Sequence, residues 1–315
     1  MNPPVYRTVC PLPKFDFSVH YDDYLVFAGS CFAENISTQF NRYFWNAAVN
    51  SHGIIFHPMP LADAIEEASR GKTYYASDLF LESGQWCSWS HHGRFRRPDP
   101  EQALQEINHS IEYHHGFMKK ANVLFVTFGT AWGYYIPDDR VVANCHRAPS
   151  STFNKYLTTH TEIVERWSHL LGLLDFISPE LKVIFSVSPV RHLKDGMHEN
   201  QLSKSHLLLA IQTLVESFPH QCFYFPTYEI FMDDLRDYRY YASDMLHPSA
   251  QGIEHVWNIV RQTLIDEESN AIMNDIHGLV LQLEHRYSAG AKAADLAAIQ
   301  DEIFQRIREG KDSCN

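Results

Sequence analysis

Four short apolar runs, at residues 24–28, 123–128, 182–187 and 222–225, recur along this chain with stretches of helical periodicity between them. The runs are nearly unbroken and rich in Val, Ile, Leu and Phe, so strands built from them need cover on both faces. Residues 33–44, 61–69, 101–118, 153–174, 200–218 and 250–265 carry apolar side chains at three- and four-residue steps, which predicts amphipathic helices. Buried strands alternating with helices imply an α/β fold, a parallel sheet with helices on both faces. Its crossovers should be right-handed and its ligands should sit at the carboxyl ends of the strands. Two insertions read as hairpins: 79–92 around Ser83-Gly84, and 133–136 with 140–144 around Pro137-Asp138-Asp139. After residue 265 the register changes. Residues 267–286 and 293–307 read as a C-terminal helical hairpin, expected to pack on the domain or to form a homodimer. The division expected is therefore a catalytic domain at 20–265 and a helical extension at 266–315.

The bulk numbers narrow the function. A chain of 315 residues, 45% hydrophobic, can bury one large α/β core. The 26 Lys+Arg against 38 Asp+Glu leave a net charge of −12, and the densest basic cluster is Arg94-Phe-Arg96-Arg97, which argues against nucleic acid as a partner. Cysteines 10, 31, 87, 145, 222 and 314 form no CxxC, so neither a disulfide framework nor a zinc ribbon is expected. The opening residues lack the apolar core of a signal peptide, and no run approaches a membrane span, so a cytoplasmic protein without an integral membrane segment is expected. The histidine pairs 52/57, 91/92 and 114/115 match no metal spacing, and neither a metal nor another cofactor is expected. The many aromatics read as a large core with Tyr-rich loops rather than a carbohydrate-stacking surface.

Every expected strand end delivers polar residues. The first gives Gly29-Ser30-Cys31, then Gly129-Thr130-Ala131-Trp132-Gly133, then Ser186-Val-Ser188-Pro189-Val-Arg191-His192; the last core segment is Asp244-Met-Leu-His247-Pro248-Ser249. By the strand-end rule these segments meet at one edge of the sheet. Gly29 permits a sharp turn, and the helix start behind it offers free N–H groups and a positive dipole end. That is a way to present a nucleophile. Asp244 can accept the Nδ1–H of His247, leaving Nε2 outward as a base. The same residues also suit an ordinary turn before a helix, and the pairing with a strand-end nucleophile is what favours catalysis.

The blocks Gly29-Ser30-Cys31-Phe32-Ala33, His52-Gly53-Ile54-Ile55-Phe56-His57-Pro58, Gly129-Thr130-Ala131-Trp132, Val141-Val-Ala-Asn144-Cys145-His146, Ser186 to Gly196, Tyr228 to Arg239 and Asp244 to Ser249 resemble, in order, the GSCFA domain proteins. That family is a distant branch of the SGNH, or GDSL, hydrolase superfamily. The resemblance implies a three-layer, flavodoxin-like fold with a nucleophile after the first strand and an Asp-x-x-His block at the end. Laying Gly29 on the superfamily's Gly-Asp-Ser glycine puts Ser30 at the Asp position and Cys31 at the nucleophile position. Cys31 is the preferred nucleophile, Ser30 the alternative, and an inert buried cysteine the bland reading. A helix N-terminus and a nearby histidine should lower the thiol pKa, while Glu34 should oppose that shift if it faces the thiol.

The superfamily's oxyanion-hole asparagine falls on Ala131 here. Asn144 is the candidate replacement, with a plain hairpin-end asparagine as the other reading; Gly53 (through its amide) and Thr130 (through its hydroxyl) are the other expected donors. Arg191 and His192 are expected to bind substrate, an acidic or phosphorylated group in the case of Arg191. The competing role for Arg191 is a salt bridge to Asp195 or Glu199. The 233–239 stretch reads as a local ion-pair network supporting the Asp244 loop. The expected function is hydrolysis of an ester or thioester of an acylated small molecule, glycan or lipid. An O-acyltransferase with the same site and a non-catalytic binding protein on a degenerate scaffold are the alternatives.

Overall fold

The apolar run that opens the domain becomes strand β1 (Tyr24–Gly29), and its side chains divide between two cores: Leu25 and Phe27 enter one, Val26 and Ala28 the other. β5 (Ala121–Phe128) and β8 (Lys182–Val187) divide in the same way, which is why their sequences are apolar without alternation. These relationships come from a computed structural model that describes residues 8–312. The opening residues 1–7 and Cys314 lie outside the described residues.

Five parallel strands form the central sheet, in the order β2 (Asn46–Val49), β1, β5, β8, β9 (Cys222–Tyr224). This is the flavodoxin-like order, with its topological switch point between β1 and β5, where a ligand crevice is expected. Helix α1 (Cys31–Arg42) covers one face and turns Phe32, Ala33, Ile36 and Phe40 inward. α2 (Pro58–Arg70), α4 (His160–Ile177) and α5 (Met197–Ser217) cover the other, centred on Leu61, Ile65, Trp167 and Leu207. Between them, α3 (Pro100–Met118) packs on α2 and builds a satellite cluster with Tyr74 and Phe95. A short turn α6 (Thr227–Glu229) runs into a π-turn at Ile230–Asp234, and α7 (Ala250–Thr263) closes the α1 side. The chain is thus a three-layer α/β fold.

The C-terminal hairpin of α8 (Glu267–Ser288) and α9 (Ala293–Asp312) belongs to the same core cluster as α1 and α7. Ile276, Val280, Ile303 and Ile307 join Phe40 and Trp257 there. Arg42 makes a paired ion contact with Glu284 (2.6 and 2.8 Å), and the Tyr43 hydroxyl meets His277 Nδ1 at 2.8 Å.

Three local readings are corrected. Edge strand β2 escaped notice because Asn-Ala-Ala-Val has little β character; pairing with β1 makes it a strand. Residues 154–157 are not helical. They form β7 (Asn154–Leu157), antiparallel to β6 (Trp132–Tyr135), and α4 starts only after Thr159, in a capping box with Glu162. The expected 133–144 hairpin is accordingly a turn with one bridge, Tyr135 to Val141, while the partner along β6 is β7. The other insertion does form β3 (Phe80–Glu82) and β4 (Gln85–Cys87) around Ser83-Gly84, both at positive φ.

Candidate active site

Gly29 ends β1 at φ 129°, and a Cβ there would lie 2.2 Å from the Thr127 carbonyl oxygen on the neighbouring strand. Only glycine fits this approach. Its N–H donates to Asn50 Oδ1 (2.8 Å), and Ser30 N–H donates to Thr127 O (3.1 Å), so the elbow is pinned to the strand on each side. Ser30 caps α1: its Oγ accepts from Phe32 N–H at 3.2 Å and is only 1% exposed as a residue. Cys31, the first residue of the helix, is partly exposed. Between the two nucleophile candidates, the serine is engaged in the backbone and the cysteine is reachable.

The expected lowering of the thiol pKa is not found. Burial pushes the Cys31 thiol above its ordinary value and Glu34 adds to the shift; the amides of Cys31 and Phe32 and the Lys204 ammonium oppose it without prevailing. Glu34 is itself held by Asn50 Nδ2 (3.0 Å), with Arg94 3.7 Å away. Cys31 therefore rests as a protonated thiol and needs a base.

Lys204 is the residue that sequence reading missed. It is wholly buried on α5 and donates from Nζ to Gly129 O and Ser188 O, both at 2.7 Å, tying the loops after β5 and β8 together. Burial brings its pKa down to about 7, with Cys31 acting the other way. The signal was present: Asn200, Ser203, Lys204, Leu207, Ala210, Ile211 and Leu214 share one buried helix face, so this lysine occupies a core position. Asn50, with φ 55°, was also overlooked, since Asn-Ser-His-Gly reads only as a turn.

Among the expected oxyanion donors the Gly53 amide is already engaged, the Thr130 hydroxyl is shared, and Asn144 is fixed through its oxygen, which leaves its Nδ2 to donate. Gly53 N–H donates to Asn50 O (2.8 Å), Asn144 Oδ1 accepts from His146 N–H (2.8 Å), and Thr130 Oγ1 accepts from Trp132 N–H (3.1 Å) and meets Ser203 Oγ (3.1 Å). The Ala131 amide donates to Ser203 Oγ at 2.7 Å. At the start of α1 the Phe32 amide is taken by Ser30 Oγ, while the Cys31 amide has no hydrogen-bond partner among the described residues and is open as a further donor.

On the far side of the edge, His247 Nδ1–H donates to Asp244 Oδ2 at 2.6 Å. Asp244 Oδ1 accepts from the amides of Leu246 and His247, both at 2.9 Å, and these bonds with the imidazole bring its pKa down to about 2. Nδ1 is thereby the protonated nitrogen and Nε2 is left as the acceptor. Both side chains are about half exposed, at 50% and 48%. Leu246, from the same loop, lines a cleft of ≈ 420 Å³ together with Phe56, Thr130, Trp132, Asn144 and His192, so the Asp244 loop and the loops after β5 and β8 border one space. His192 is mostly buried, and burial with the Lys204 charge brings its pKa down to about 4. Arg191 takes neither acid expected of it: Asp195 pairs with Lys155, and no ion pair joins Arg191 to Glu199 among the described residues. In the 233–239 stretch two pairs are local, Arg236 with Asp233 (3.5 Å) and Arg239 with Asp237 (2.8 Å), while the buried Asp234 lies 3.7 Å from His255 on α7.

No group of three or more His, Cys, Asp or Glu among the described residues is arranged to hold a metal ion, and Cys10, Cys31, Cys87, Cys145 and Cys222 are free thiols. No helix among them is long and apolar enough to cross a membrane.

Comparison with curated proteins gives no match. Among solved structures, an acetyl xylan esterase from the rumen bacterium Butyrivibrio proteoclasticus is similar over 77% of this chain and 64% of its own, with 11% identity and a TM-score of 0.37. The chain thus spans less than two thirds of that esterase. The GSCFA family model matches residues 24–259, from the first residue of β1 into α7, and this chain belongs to the GSCFA family.

Proposed function

We propose that this protein is an acyl-transfer enzyme that cleaves an ester or thioester through Cys31, with His247 as general base and Asp244 as its orienting carboxylate. The observation that carries this reading is an imidazole fixed by Asp244, on a loop that borders one cleft with the loops after β5 and β8, beside a partly exposed thiol at the helix start after β1, the strand next to β5. Because burial holds Cys31 protonated, the thiol proton passes to His247 Nε2 as Sγ attacks the acyl carbon. The amide of Cys31 and the Nδ2 of Asn144 bind the oxyanion. His247 then protonates the departing alkoxide or thiolate, leaving an acyl thioester on Cys31. Water, deprotonated by His247, releases the acid and restores the thiol; a sugar or lipid hydroxyl in its place gives O-acyl transfer. Lys204 is a positioning residue: it fixes the two strand-end carbonyls and stabilises the thiolate as it forms. A reducing cytoplasm, where a free thiol persists, is the compartment this chemistry suits.

The second reading, a binding protein on a degenerate scaffold, draws on Ala131, whose position carries no side-chain amide. Turnover of a panel of acyl esters and thioesters by the wild type, Cys31→Ala, Ser30→Ala and His247→Ala separates the two. The catalytic reading expects a loss of about 10³-fold or more with Cys31→Ala and with His247→Ala. Ser30→Ala should cost about 1 kcal/mol of stability through its lost cap and leave the chemistry in place. An inert wild type, or full activity in Cys31→Ala, would refute it.

A further inference from the structure

Arg191 stands just past the carboxyl end of β8 in a molecule whose net charge is −12, yet no carboxylate among the described residues lies within ion-pair distance of it. Its Nε is enclosed and has no hydrogen-bond partner among them. The guanidinium instead lies 5.6 Å from the ring centre of Tyr241. Arg191, Arg236, Tyr238 and Tyr241 line a pocket of ≈ 210 Å³, floored by Phe231 and Met232 of the π-turn. Arg236 is held at this rim by its Nε bond to Met232 O (3.0 Å) and by Asp233. The one acid in the lining, Asp237, is taken by Arg239 through its backbone N–H (2.9 Å) and its guanidinium (2.8 Å). An arginine fork with open donors, a second arginine and two tyrosines match the several oxygens of a phosphate group better than a single carboxylate.

The pocket is joined to the proposed base. Tyr241 bridges Pro248, and Ala242 N–H donates to His247 O at 2.7 Å, so pocket wall and imidazole belong to one closed loop. On its other side the Arg191 charge is felt at Tyr228, whose ring lies 5.8 Å from Lys204 Nζ. We propose that Arg191, with Arg236, Tyr238 and Tyr241, binds a phosphate monoester on the non-acyl part of the substrate, making this a phosphate-bearing ester or thioester. This deepens the acyl-transfer reading and rests on it for the link to turnover, although phosphate binding itself does not.

Two measurements test the assignment. Calorimetric titration with inorganic phosphate, at low ionic strength to limit screening, is made on the wild type, Cys31→Ala, Arg191→Gln and Arg191→Lys, with chloride at matched ionic strength as control. Binding is expected in the wild type and in Cys31→Ala, about tenfold weaker or absent in Arg191→Gln, and intermediate in Arg191→Lys, which keeps the charge and loses the fork. Thermal melting of each variant checks that it is folded. In parallel, KM is compared for the acetyl thioesters of 6-mercaptohexanol and of its O-phosphate. The phosphorylated substrate should have a KM about tenfold lower in the wild type, and the ratio should collapse in Arg191→Gln. Phosphate binding equal in wild type and Arg191→Gln, no binding beyond the chloride control, or equal KM values for the two thioesters each overturns the proposal. If neither thioester is turned over, the catalytic reading fails and the phosphate titration alone decides the pocket.

Discussion

The two halves of the proposed site are held in opposite ways. The Gly29–Cys31 elbow is fixed by distant parts of the chain: Thr127 on β5, Asn50 after β2, and a lysine on α5 that binds the flanking loops. The Asp244–His247 turn is fixed chiefly by itself, through bonds across two and three residues and one return to Ala242. One half is therefore as rigid as the sheet. The other is a self-supporting turn whose side chains stay half exposed. Changes at the elbow should register in stability, and changes at the turn in turnover.

Gly29→Ala should show the largest effect, because it combines a backbone clash with a φ that L-residues avoid. A loss of about 3 kcal/mol or more in urea unfolding is expected, and a stability close to wild type would break the contrast. Acid should act next, through His57. This residue caps α2 beside Phe56, whose carbonyl accepts the amides of Gly129 and Thr130. Its Nδ1 accepts from Met59 N–H, so Nε2–H donates to Thr158 Oγ1 (3.0 Å) and Ala131 O (3.2 Å), and burial brings its pKa down to about 4. The unfolded chain binds that proton first. The stability is present above the ordinary value near 6.5 and is lost as pH falls through 4, by roughly 3 kcal/mol for this group. His192 acts in the same direction. Unfolding measured from pH 7 to 4 on wild type and His57→Gln should show a weaker pH dependence in the variant.

At the turn, Asp244→Asn keeps an oxygen for the two amides but offers Nδ2–H to His247 Nδ1, moving the ring proton to Nε2 and removing the base. Turnover should fall about 10²-fold while the exposed site leaves stability within about 0.5 kcal/mol. A stability loss larger than the activity loss would place the turn with the rigid half. Lys204→Met sharpens the comparison most finely. The pH midpoint of Cys31 alkylation should rise, since one of the groups favouring the thiolate is gone, and turnover should fall about tenfold. An unmoved midpoint would reduce Lys204 to a loop tie.

The layered sheet was legible because β1, β5 and β8 are apolar on both faces, a pattern that only a covered strand produces. The elbow and the Asp-x-x-His block were legible because their spacing is local. What escaped depends on contacts between distant residues. β2 is a strand by virtue of its neighbour, residues 154–157 follow β6 instead of the helical period, and the thiol environment is decided by burial that no spacing displays. Lys204 lies between these cases. Its place on a buried helix face could be read from the sequence, but its two carbonyl partners belong to loops far away in the chain.

The seat of α1 carries a consequence for the order in which the protein is made. Phe40 packs against Trp257 with ring centres 4.9 Å apart, Tyr43 bonds His277, and Arg42 pairs with Glu284. The helix that begins at Cys31 leaves the ribosome long before the residues that cover its outer end, which in the pair of Arg42 with Glu284 follow by 242 positions. During synthesis such an element must wait with apolar surface uncovered until those later residues emerge. The elbow is thus encoded well before it is enclosed.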